Sequence, residues 1–291
     1  MATPDSAPTI KQLLRHAQAT IDSDSPRLDA EVLLAHVLQK DRTYLFTWPE
    51  KTLTEEQAEQ FQALLQQRQQ GLPVAHLIGQ REFWGLPLAV DNSTLIPRPD
   101  TETLVEVALQ LPLPDNTRAL DLGTGTGAIA LALASEKPSW TLLGVDRSPE
   151  AVALAQHNAA ALGLGNATLR QSDWFSAVTG QNFDLIVSNP PYIDEDDPHL
   201  AEGDVRFEPQ TALVAANHGL ADLELIVGCA PDFLGAGGWL LLEHGYQQGG
   251  AVRELLRARG FEQVATHRDL GDQERVSLGC WPGSGEKSDE R

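Results

Sequence analysis

The sequence predicts an α/β fold: a Rossmann-like sheet with helices on both faces, preceded by a small N-terminal helical bundle and a β-hairpin linker. Three observations predict it. Short β-type runs alternate with helical runs from residue 118 onward, a glycine-rich turn joins the first of these runs to a helix, and the first 70 residues carry helical periodicity only. We place the helical domain at residues 1–72, the linker at 73–99 and the sheet domain at 100–291.

The first domain is predicted to consist of amphipathic helices. Apolar residues of "TIKQLLRHAQATI" fall on one helical stripe: Ile10, Leu13, Leu14, Ala17 and Ile21. Ser25 before Pro26 predicts the start of a second helix. Thr54 and Gln57 form a capping-box pattern ahead of a helix that stops near Gly71. These residues contain no catalytic constellation, so we expect the domain to recognise a substrate rather than to react with it.

Turn residues and β-type runs mark the linker and the sheet. The runs "REFWGLPLAV" and "STLIPRP" predict a hairpin, and a helix should follow over "DTETLVEVALQL" with Asp100 or Thr101 as its cap. Strand-like and helix-like runs then alternate: "RALDL", "AIALALASE", "TLLGVD", "PEAVALAQHNAAAL", "ATLRQS" and "FDLIVSN". The runs "GLADLELIVGCAPDFL", "GWLLLEH", "QGGAVRELLRARG" and "RVSLGCW" continue the alternation, which predicts a parallel sheet.

The composition argues against several classes of protein. The chain has 291 residues, 42% of them hydrophobic, and 21 Lys and Arg against 41 Asp and Glu give a net charge of −20. A broad nucleic-acid surface needs clustered Lys and Arg, so we expect no direct nucleic-acid binding. Cys229 and Cys280 have no metal-ligand spacing, and we expect no metal. No apolar run approaches the ~20 residues of a membrane span, and the first residues lack the features of a signal peptide, so we expect a cytoplasmic protein that binds no membrane.

The turn "DLGTGTGAIA" predicts a nucleotide-binding loop. Glycines allow a tight turn and close approach of the backbone to a ligand, which lies at the carboxyl ends of the strands in a doubly wound sheet. Gly123, Gly125 and Ala128 also satisfy the dinucleotide fingerprint G-x-G-x-x-A, so the loop alone leaves the nucleotide open. A P-loop is excluded, because no G-K-[ST] ends the turn.

Two carboxylates favour S-adenosylmethionine over a dinucleotide. Asp121 stands two residues before the first glycine, where we expect it to face the positive end of the ligand and to repel a pyrophosphate. Asp146 closes the next strand, where a carboxylate binds ribose hydroxyls. An adenosine with a cationic end and no pyrophosphate describes S-adenosylmethionine. The alternative for Asp146 is a helix cap in "DRSPE", and the two roles can coexist.

The stretch "SDWF" follows the third predicted strand. Asp173 could accept a hydrogen bond from the adenine amino group, and Trp174 could form an aromatic wall against the purine. A plain core tryptophan is the alternative for Trp174.

The stretch "SNPPYI" follows the fourth predicted strand, and its two prolines must stop that strand and stiffen the loop. A planar amide or aromatic NH2 has a delocalised lone pair and must be positioned closely before it can attack a methyl group. The Asn189 side-chain carbonyl and the Pro190 backbone carbonyl can accept its two hydrogens, and Tyr192 can stack on the planar group. A proline-stiffened loop without chemistry is the alternative.

The ordered set "DLGTGTG", "VD", "SDWF", "NPPYI", "DVRFEP" and "LLEHG" closely resembles the peptide-chain release factor glutamine N5-methyltransferases, the PrmC/HemK family. The resemblance covers nearly the whole chain. It implies methyl transfer from S-adenosylmethionine to the glutamine of the Gly-Gly-Gln loop of class 1 release factors, the protein partner we expect. It implies cofactor contacts at Gly123, Thr124, Gly125, Thr126, Gly127, Asp146, Trp174 and Asn189, and substrate contacts at Asn189, Pro190, Pro191 and Tyr192.

Other functions and roles stay open at this point. One alternative is an amino-methyltransferase that acts on adenine or cytosine in nucleic acid, because the exocyclic amine of these bases is also a planar nitrogen. The net charge of −20 is unfavourable for binding nucleic acid. A non-catalytic nucleotide-binding module and a dehydrogenase are less favoured because of the NPPY stretch. Arg206 and Glu208 could belong to a substrate lid or be solvated loop charges, and His244 beside Glu243 is expected to be structural.

Overall fold

The computed structural model describes residues 7–201 and 203–283, and the chain divides into two compact units. The first, called here the helical unit, comprises Met1–Gln80 and Pro198–Phe207, and the second, the sheet unit, comprises Arg81–Asp197 and Glu208–Arg291. Within the described ranges no helix has both the length and the apolar character needed to cross a membrane.

The α-helices in the described residues of the helical unit are α1 (Ile10–Thr20), α2 (Pro26–Leu38), α3 (Arg42–Thr47), α4 (Glu55–Gln69) and α5 (Val74–Ile78). Its core is a cluster of buried side chains that includes Ile10, Leu33, Leu34, Phe61 and Leu65. The capping box predicted at Thr54 and Gln57 is confirmed. Ser25 occupies the N-cap position of α2 with Pro26 at its first residue, as predicted, but the Ser25 hydroxyl donates to Asp29 instead of accepting from the helix backbone.

The segment Pro198–Phe207 belongs to the helical unit although it lies far along the chain, and the sequence did not predict this. Buried Arg68 of α4 holds it: Nε donates to Asp29 Oδ2 over 2.8 Å and Nη1 donates to Asp204 Oδ1 over 2.8 Å. Charge-assisted hydrogen bonds of a buried guanidinium are among the stronger interactions in proteins. Arg68 therefore anchors the segment that follows the NPPY loop.

The sheet unit begins with a hairpin and continues with alternating strands and helices. Its elements are β1 (Gln80–Phe83), β2 (Leu86–Ala89), α6 (Glu102–Gln110), β3 (Arg118–Leu122), α7 (Ala128–Glu136), β4 (Thr141–Asp146), α8 (Pro149–Leu162), β5 (Ala167–Gln171), β6 (Phe183–Ser188), a distorted turn α9 (Ala216–Gly219), α10 (Ala221–Cys229), β7 (Leu234–Glu243), α11 (Gly249–Arg259), β8 (Glu262–Arg268) and β9 (Glu274–Trp281). The second predicted β-type run, "STLIPRP", forms a loop at 93–98, because its prolines cannot donate to a strand ladder.

The main sheet has the order β5-β4-β3-β6-β7-β9-β8, and its first five strands are parallel as predicted. The expectation of parallel strands is wrong for β9, which runs antiparallel to both of its neighbours, β7 and β8. A short turn at 269–273, held by the Asp269 carboxylate, joins β8 to β9, and such a turn is too short for the crossover that parallel strands require. With the helical N-terminal unit, this architecture confirms the predicted fold class.

Successive residues of the central strands contribute their side chains alternately to two hydrophobic cores. Leu120, Leu122 and Ile186 lie in one buried cluster, whereas Leu185 and Val187 lie in the other. Both faces of the sheet are thus covered, as period-two alternation in a doubly wound fold requires. The chain leaves β3 toward β4 and β5 on one side and returns with β6 on the other, so the carboxyl end of β3 is a topological switch point, where ligands bind.

Candidate active site

The glycine loop follows β3 at this switch point. Gly123, Gly125 and Gly127 have φ values of +69°, +54° and +85°, a backbone conformation that residues with a Cβ rarely adopt. A Cβ on Gly127 would lie 3.0 Å from Leu131 Cδ1 and 3.3 Å from Ala155 Cβ, so α7 and α8 pack closely there. The loop is therefore shaped both for its turn and for close packing behind it.

Asp121, which the sequence analysis expected to face the ligand, instead lies buried behind the glycine loop and is not among the residues that line the adjacent cleft. Its Oδ2 accepts from the Thr124 hydroxyl over 2.6 Å and from the Ala130 backbone N–H over 3.2 Å, whereas Oδ1 has no hydrogen-bond partner in the described part of the chain. Burial raises the pKa of Asp121 to about 7, although both hydrogen bonds act to lower it. This placement makes Asp121 a support for the loop and the start of α7.

The raised pKa of Asp121 predicts that stability decreases with rising pH. Between an ordinary pKa of 3.8 and about 7, the folded protein keeps a proton that the unfolded chain has released, so the free energy of unfolding falls as pH rises through about 7. One such group contributes a slope of up to about 1.4 kcal/mol per pH unit. We expect Asp121→Asn to flatten the fall in melting temperature between about pH 4 and about pH 7. An unchanged slope in scanning calorimetry would contradict the assignment.

The cleft lies along the carboxyl ends of β3, β4 and β6 in the sheet unit. Its lining includes the glycine loop, residues of the 93–98 loop and Thr101, Asp146, Asp173, Trp174, Asn189, Pro191, Thr211, Val214 and Asp222. The structure therefore brings together most of the sequence-predicted site residues, including Gly123, Thr124, Gly125 and Thr126. Asp121, Gly127, Pro190 and Tyr192 are not among the residues that line the cleft.

Asp146 ends β4 and connects the glycine loop to the next helix. Its Oδ2 accepts from the Gly125 backbone N–H over 3.0 Å, and its Oδ1 accepts from the Ser148 backbone N–H over 3.0 Å. The cap of α8 is Ser148, whose hydroxyl accepts from the Ala151 N–H. Asp146 is therefore not the cap itself, and its partly exposed carboxylate faces the cleft.

Trp174 lines one wall of the cleft, and its backbone conformation must be stabilised by neighbouring contacts. Its φ of +45° lies in the left-handed region, which costs energy for a bulky residue. The Ser172 hydroxyl donates to the Trp174 carbonyl over 2.7 Å and accepts from the Ala177 N–H over 3.0 Å, which stabilises this turn. Trp174 therefore lines the cleft and packs on the sheet core at once, and its contact with a purine stays a prediction.

Two acidic residues reach the cleft beside Trp174. Asp173 is exposed and lines the cleft, as the sequence predicted. Asp222 of α10 lines it as well, and burial raises the pKa of Asp222. Sequence reasoning missed Asp222, because an acidic residue in the first turn of an amphipathic helix carries no distinguishing signal.

The NPPY loop presents Asn189 to the cleft directly after β6. Asn189 Nδ2 donates to the Thr101 hydroxyl over 3.2 Å, so the donor side of this amide is held by the protein and its carbonyl oxygen remains as the acceptor. Pro191 lines the cleft and Pro190 is buried behind it. The Tyr192 hydroxyl donates to Glu243 Oε1 over 3.4 Å, and burial raises the pKa of Tyr192.

An ion pair between the buried carboxylate of Glu208 and the partly exposed guanidinium of Arg98 holds the 93–98 loop, part of which lines the cleft. Glu208 accepts from the Ile96 backbone N–H over 2.9 Å and from Arg98 Nη2 over 2.5 Å. An isolated β-bridge pairs Ile193 with Val214 and brings the chain that follows Glu208 back to the cleft. Glu208 therefore fixes the loop that follows the hairpin, a role the sequence left open, whereas Arg206 belongs to the helical unit.

His244 does not line the cleft. It is fully buried, with Nε2 hydrogen-bonded to the Ser277 hydroxyl over 2.8 Å and Nδ1 to the Gly245 carbonyl over 2.9 Å. Burial lowers the pKa of His244, which favours the neutral ring. These contacts join β7 to β9 and support the structural interpretation. In the described part of the chain, no group of three or more His, Cys, Asp and Glu side chains could hold a metal ion.

Comparisons with known proteins agree with this arrangement of two units. Residues 12–79 match the family described as the PrmC N-terminal domain, and residues 99–204 match the methyltransferase small domain. A solved methyltransferase from Pyrococcus furiosus, 18% identical, aligns over 77% of this chain and 98% of its own with a TM-score of 0.53. At that level of identity, the similarity concerns the fold alone.

Curated relatives cover almost the full length. The release factor glutamine methyltransferase of Shewanella oneidensis is 57% identical over 268 residues, which is 92% of this chain and 94% of that protein. The release factor glutamine methyltransferase of Escherichia coli is 59% identical over 257 residues, 88% of this chain and 93% of that protein. The resemblance inferred from the motifs is thereby confirmed, and the chain belongs to the release factor glutamine methyltransferase family.

Proposed function

We propose that this protein transfers a methyl group from S-adenosylmethionine to the side-chain amide nitrogen of the glutamine in the Gly-Gly-Gln loop of class 1 peptide-chain release factors, and so supports translation termination. One observation carries the proposal: Asn189 of the NPPY loop lines the same cleft as the glycine loop and Asp146. A nucleoside site and an amide-holding group then meet in one cleft. A substrate from the translation machinery places the reaction in the cytoplasm.

The residues of the cleft fit S-adenosylmethionine, which supplies an electrophilic methyl group when bound. Asp146 offers carboxylate oxygens for the ribose hydroxyls, and Trp174 offers a flat apolar surface for the adenine. Asp173 and Asp222 add further carboxylates, whose charge suits a cationic ligand and disfavours a pyrophosphate. The glycine loop leaves space for the backbone to approach the ligand.

Asn189 positions the nucleophile in the proposed reaction. Its side-chain oxygen and the Pro190 carbonyl accept the two hydrogens of the substrate amide and hold its nitrogen in line with the methyl carbon. The nitrogen lone pair forms the new N–C bond, the C–S electron pair passes to sulfur and neutralises the sulfonium, and the amide nitrogen then releases one proton to solvent. Positioning and electrostatics supply the rate enhancement, and no strong base is needed before the attack.

Replacing Asp146 should weaken the binding of the cofactor. Hydrogen bonds to a charged group contribute about 1.5–3 kcal/mol, so Asp146→Ala should reduce affinity for S-adenosylmethionine roughly 10- to 100-fold in isothermal calorimetry. Glu254→Ala, which removes an exposed carboxylate from α11, is the matched control and should bind normally. Wild-type affinity in Asp146→Ala would leave Asp146 with a purely structural role at Gly125 and Ser148.

We further propose that the helical unit docks the release factor, as the substrate-recognition domain expected at residues 1–72. A pocket for a planar CONH2 group cannot distinguish one glutamine from every other exposed amide, so selectivity needs a wider surface. The helical unit exposes Phe46 by 51% and Trp48 by 50%. A groove beside Phe46 is lined by apolar and cationic side chains that include Lys11, Leu14 and Arg15. Exposed aromatic residues beside positive charges are typical of protein-binding surfaces.

A transfer assay with radiolabelled S-adenosylmethionine tests the proposed function. The acceptors are a class 1 release factor, duplex and single-stranded DNA, RNA, and buffer alone. We expect label in the release factor only. Label in a nucleic acid but not in the release factor would instead support an amino-methyltransferase that acts on bases.

A further inference from the structure

A buried carboxylate lies behind the NPPY loop, at the end of β7. Glu243 is 1% exposed and does not line the cleft. Its Oε1 accepts from the Tyr192 hydroxyl, and its Oε2 is buried without a hydrogen-bond partner within the described residues. A carboxylate in such a place has a large desolvation cost, which calls for a use beyond packing.

Thr101 connects this carboxylate to Asn189. It occupies the N-cap position of α6, one of the two positions predicted for the cap, but its side chain makes no capping hydrogen bond. Its hydroxyl instead accepts from Asn189 Nδ2 over 3.2 Å, and it also lies close enough to Glu243 to lower the pKa of that carboxyl. A hydroxyl has one proton to donate and two lone pairs to accept with, so a bond from Asn189 leaves its proton free for Glu243.

We propose that Glu243 and Thr101 are positioning residues of the methyl transfer: Glu243 accepts the Thr101 proton, Thr101 thereby accepts from Asn189 Nδ2, and the Asn189 carbonyl oxygen is turned toward the substrate amide. The same carboxylate accepts from Tyr192, so one buried group orients two residues of the NPPY loop. This inference rests on the proposed function only for its effect on turnover, because the hydrogen bonds from Asn189 to Thr101 and from Tyr192 to Glu243 exist without substrate.

The charges around Glu243 make the arrangement depend on pH. Burial raises the pKa of Glu243 to about 7; Thr101, Arg275 and Tyr192 act to lower it, and Asp100 acts to raise it. Arg275 of β9 also forms ion pairs with Asp269 over 3.0 Å and with Asp100 over 3.6 Å. Its positive charge therefore compensates the negative charge of Glu243 only in part. In the proposed arrangement the ionised carboxylate, present above about pH 7, accepts hydrogen bonds from both Tyr192 and Thr101, whereas below about pH 7 a protonated carboxyl competes as a donor.

Kinetics of the full-length protein test the proposal, because loss of a positioning residue should lower turnover much more than it lowers cofactor affinity. Thr101→Val keeps the shape but removes the hydroxyl, and kcat should fall roughly 10- to 100-fold while affinity for S-adenosylmethionine changes less than about threefold. Thr101→Ser restores the hydroxyl and should recover most of the loss. Thr117→Val, which removes a buried hydroxyl at the start of β3, controls for general destabilisation. Equal losses in kcat and cofactor affinity would make Thr101 a cofactor contact and overturn the proposal.

The pH profile gives a second kinetic test. In the wild type, kcat should fall below about pH 7, and Glu243→Gln should show a lower but flat profile between about pH 6 and about pH 8. A limb that persists in Glu243→Gln belongs to another group, such as Asp121, and contradicts the proposal.

A measurement without substrate separates this inference from the proposed function. In protein labelled with 15N at asparagine, the side-chain NH2 signals of Asn189, assigned by their loss in Asn189→Ala, should shift with a midpoint near pH 7 in the wild type. The shift should vanish in Glu243→Gln and in Thr101→Val. If the wild type transfers no methyl group yet shows this titration, the positioning contact stands and the proposed substrate fails. If the signals do not titrate, the contact fails whatever the protein methylates.

Discussion

Replacing Asn189 by alanine should reduce turnover on the order of 10²- to 10³-fold while affinity for S-adenosylmethionine changes only a few-fold. The side-chain oxygen of Asn189 is the acceptor that remains for the substrate amide, because its Nδ2 is already bound to Thr101. Removing one preorganised hydrogen-bonding group from an active site has effects of this size, and a group that acts on the transition state lowers kcat rather than binding.

Single-turnover kinetics and calorimetry on the same samples measure the two effects for Asn189→Ala. Asn182→Ala, an exposed asparagine just before β6, is the matched control and should behave like the wild type. If turnover and cofactor affinity fall by the same factor, Asn189 acts mainly on the cofactor and the positioning role assigned to the NPPY loop is wrong.

The second large effect concerns the helical unit. Phe46→Ala combined with Trp48→Ala should raise KM for intact release factor roughly 30-fold or more, because exposed aromatic anchors at interfaces contribute about 2 kcal/mol or more each. Cofactor affinity and turnover of a short Gly-Gly-Gln peptide should stay unchanged. Substitution is preferable to removal of the unit, since the segment Pro198–Phe207 would lose its partner Arg68.

Leu270→Ala serves as the matched control for this pair, because Leu270 is a fully exposed apolar residue of the sheet unit. It should not affect KM for the release factor. A wild-type KM in the Phe46 and Trp48 double variant would exclude this surface as the docking site, and an equal rise with the peptide would place the effect in the catalytic cleft.

Local signals made much of the site predictable. Positive φ at Gly123, Gly125 and Gly127 follows from residue type, and two adjacent prolines had to end β6 where they do. The position of Asp146 at the end of a strand also follows from the pattern of apolar residues. These features depend on residues that are neighbours in the sequence, so a single sequence is enough to predict them.

Features that depend on distant partners could not be predicted in this way. Thr101 was expected to cap a helix, yet its hydroxyl binds Asn189, which lies 88 positions along the chain. Asp204 joins Arg68 across 136 positions, and Asp222 reaches the cleft only because α10 packs on the sheet. Tertiary contacts decided each case, and no spacing or propensity in the sequence encodes them.

Mapping the methylated residue by mass spectrometry tests the central claim most directly. Full-length protein, S-adenosylmethionine and an intact class 1 release factor are incubated together, and peptides from the release factor are sequenced by fragmentation. We expect one added methyl group on the side chain of the Gly-Gly-Gln glutamine, and none when Asn189→Ala replaces the wild type. Methylation of another residue, or an unmodified glutamine alongside methylated nucleic acid, would contradict it.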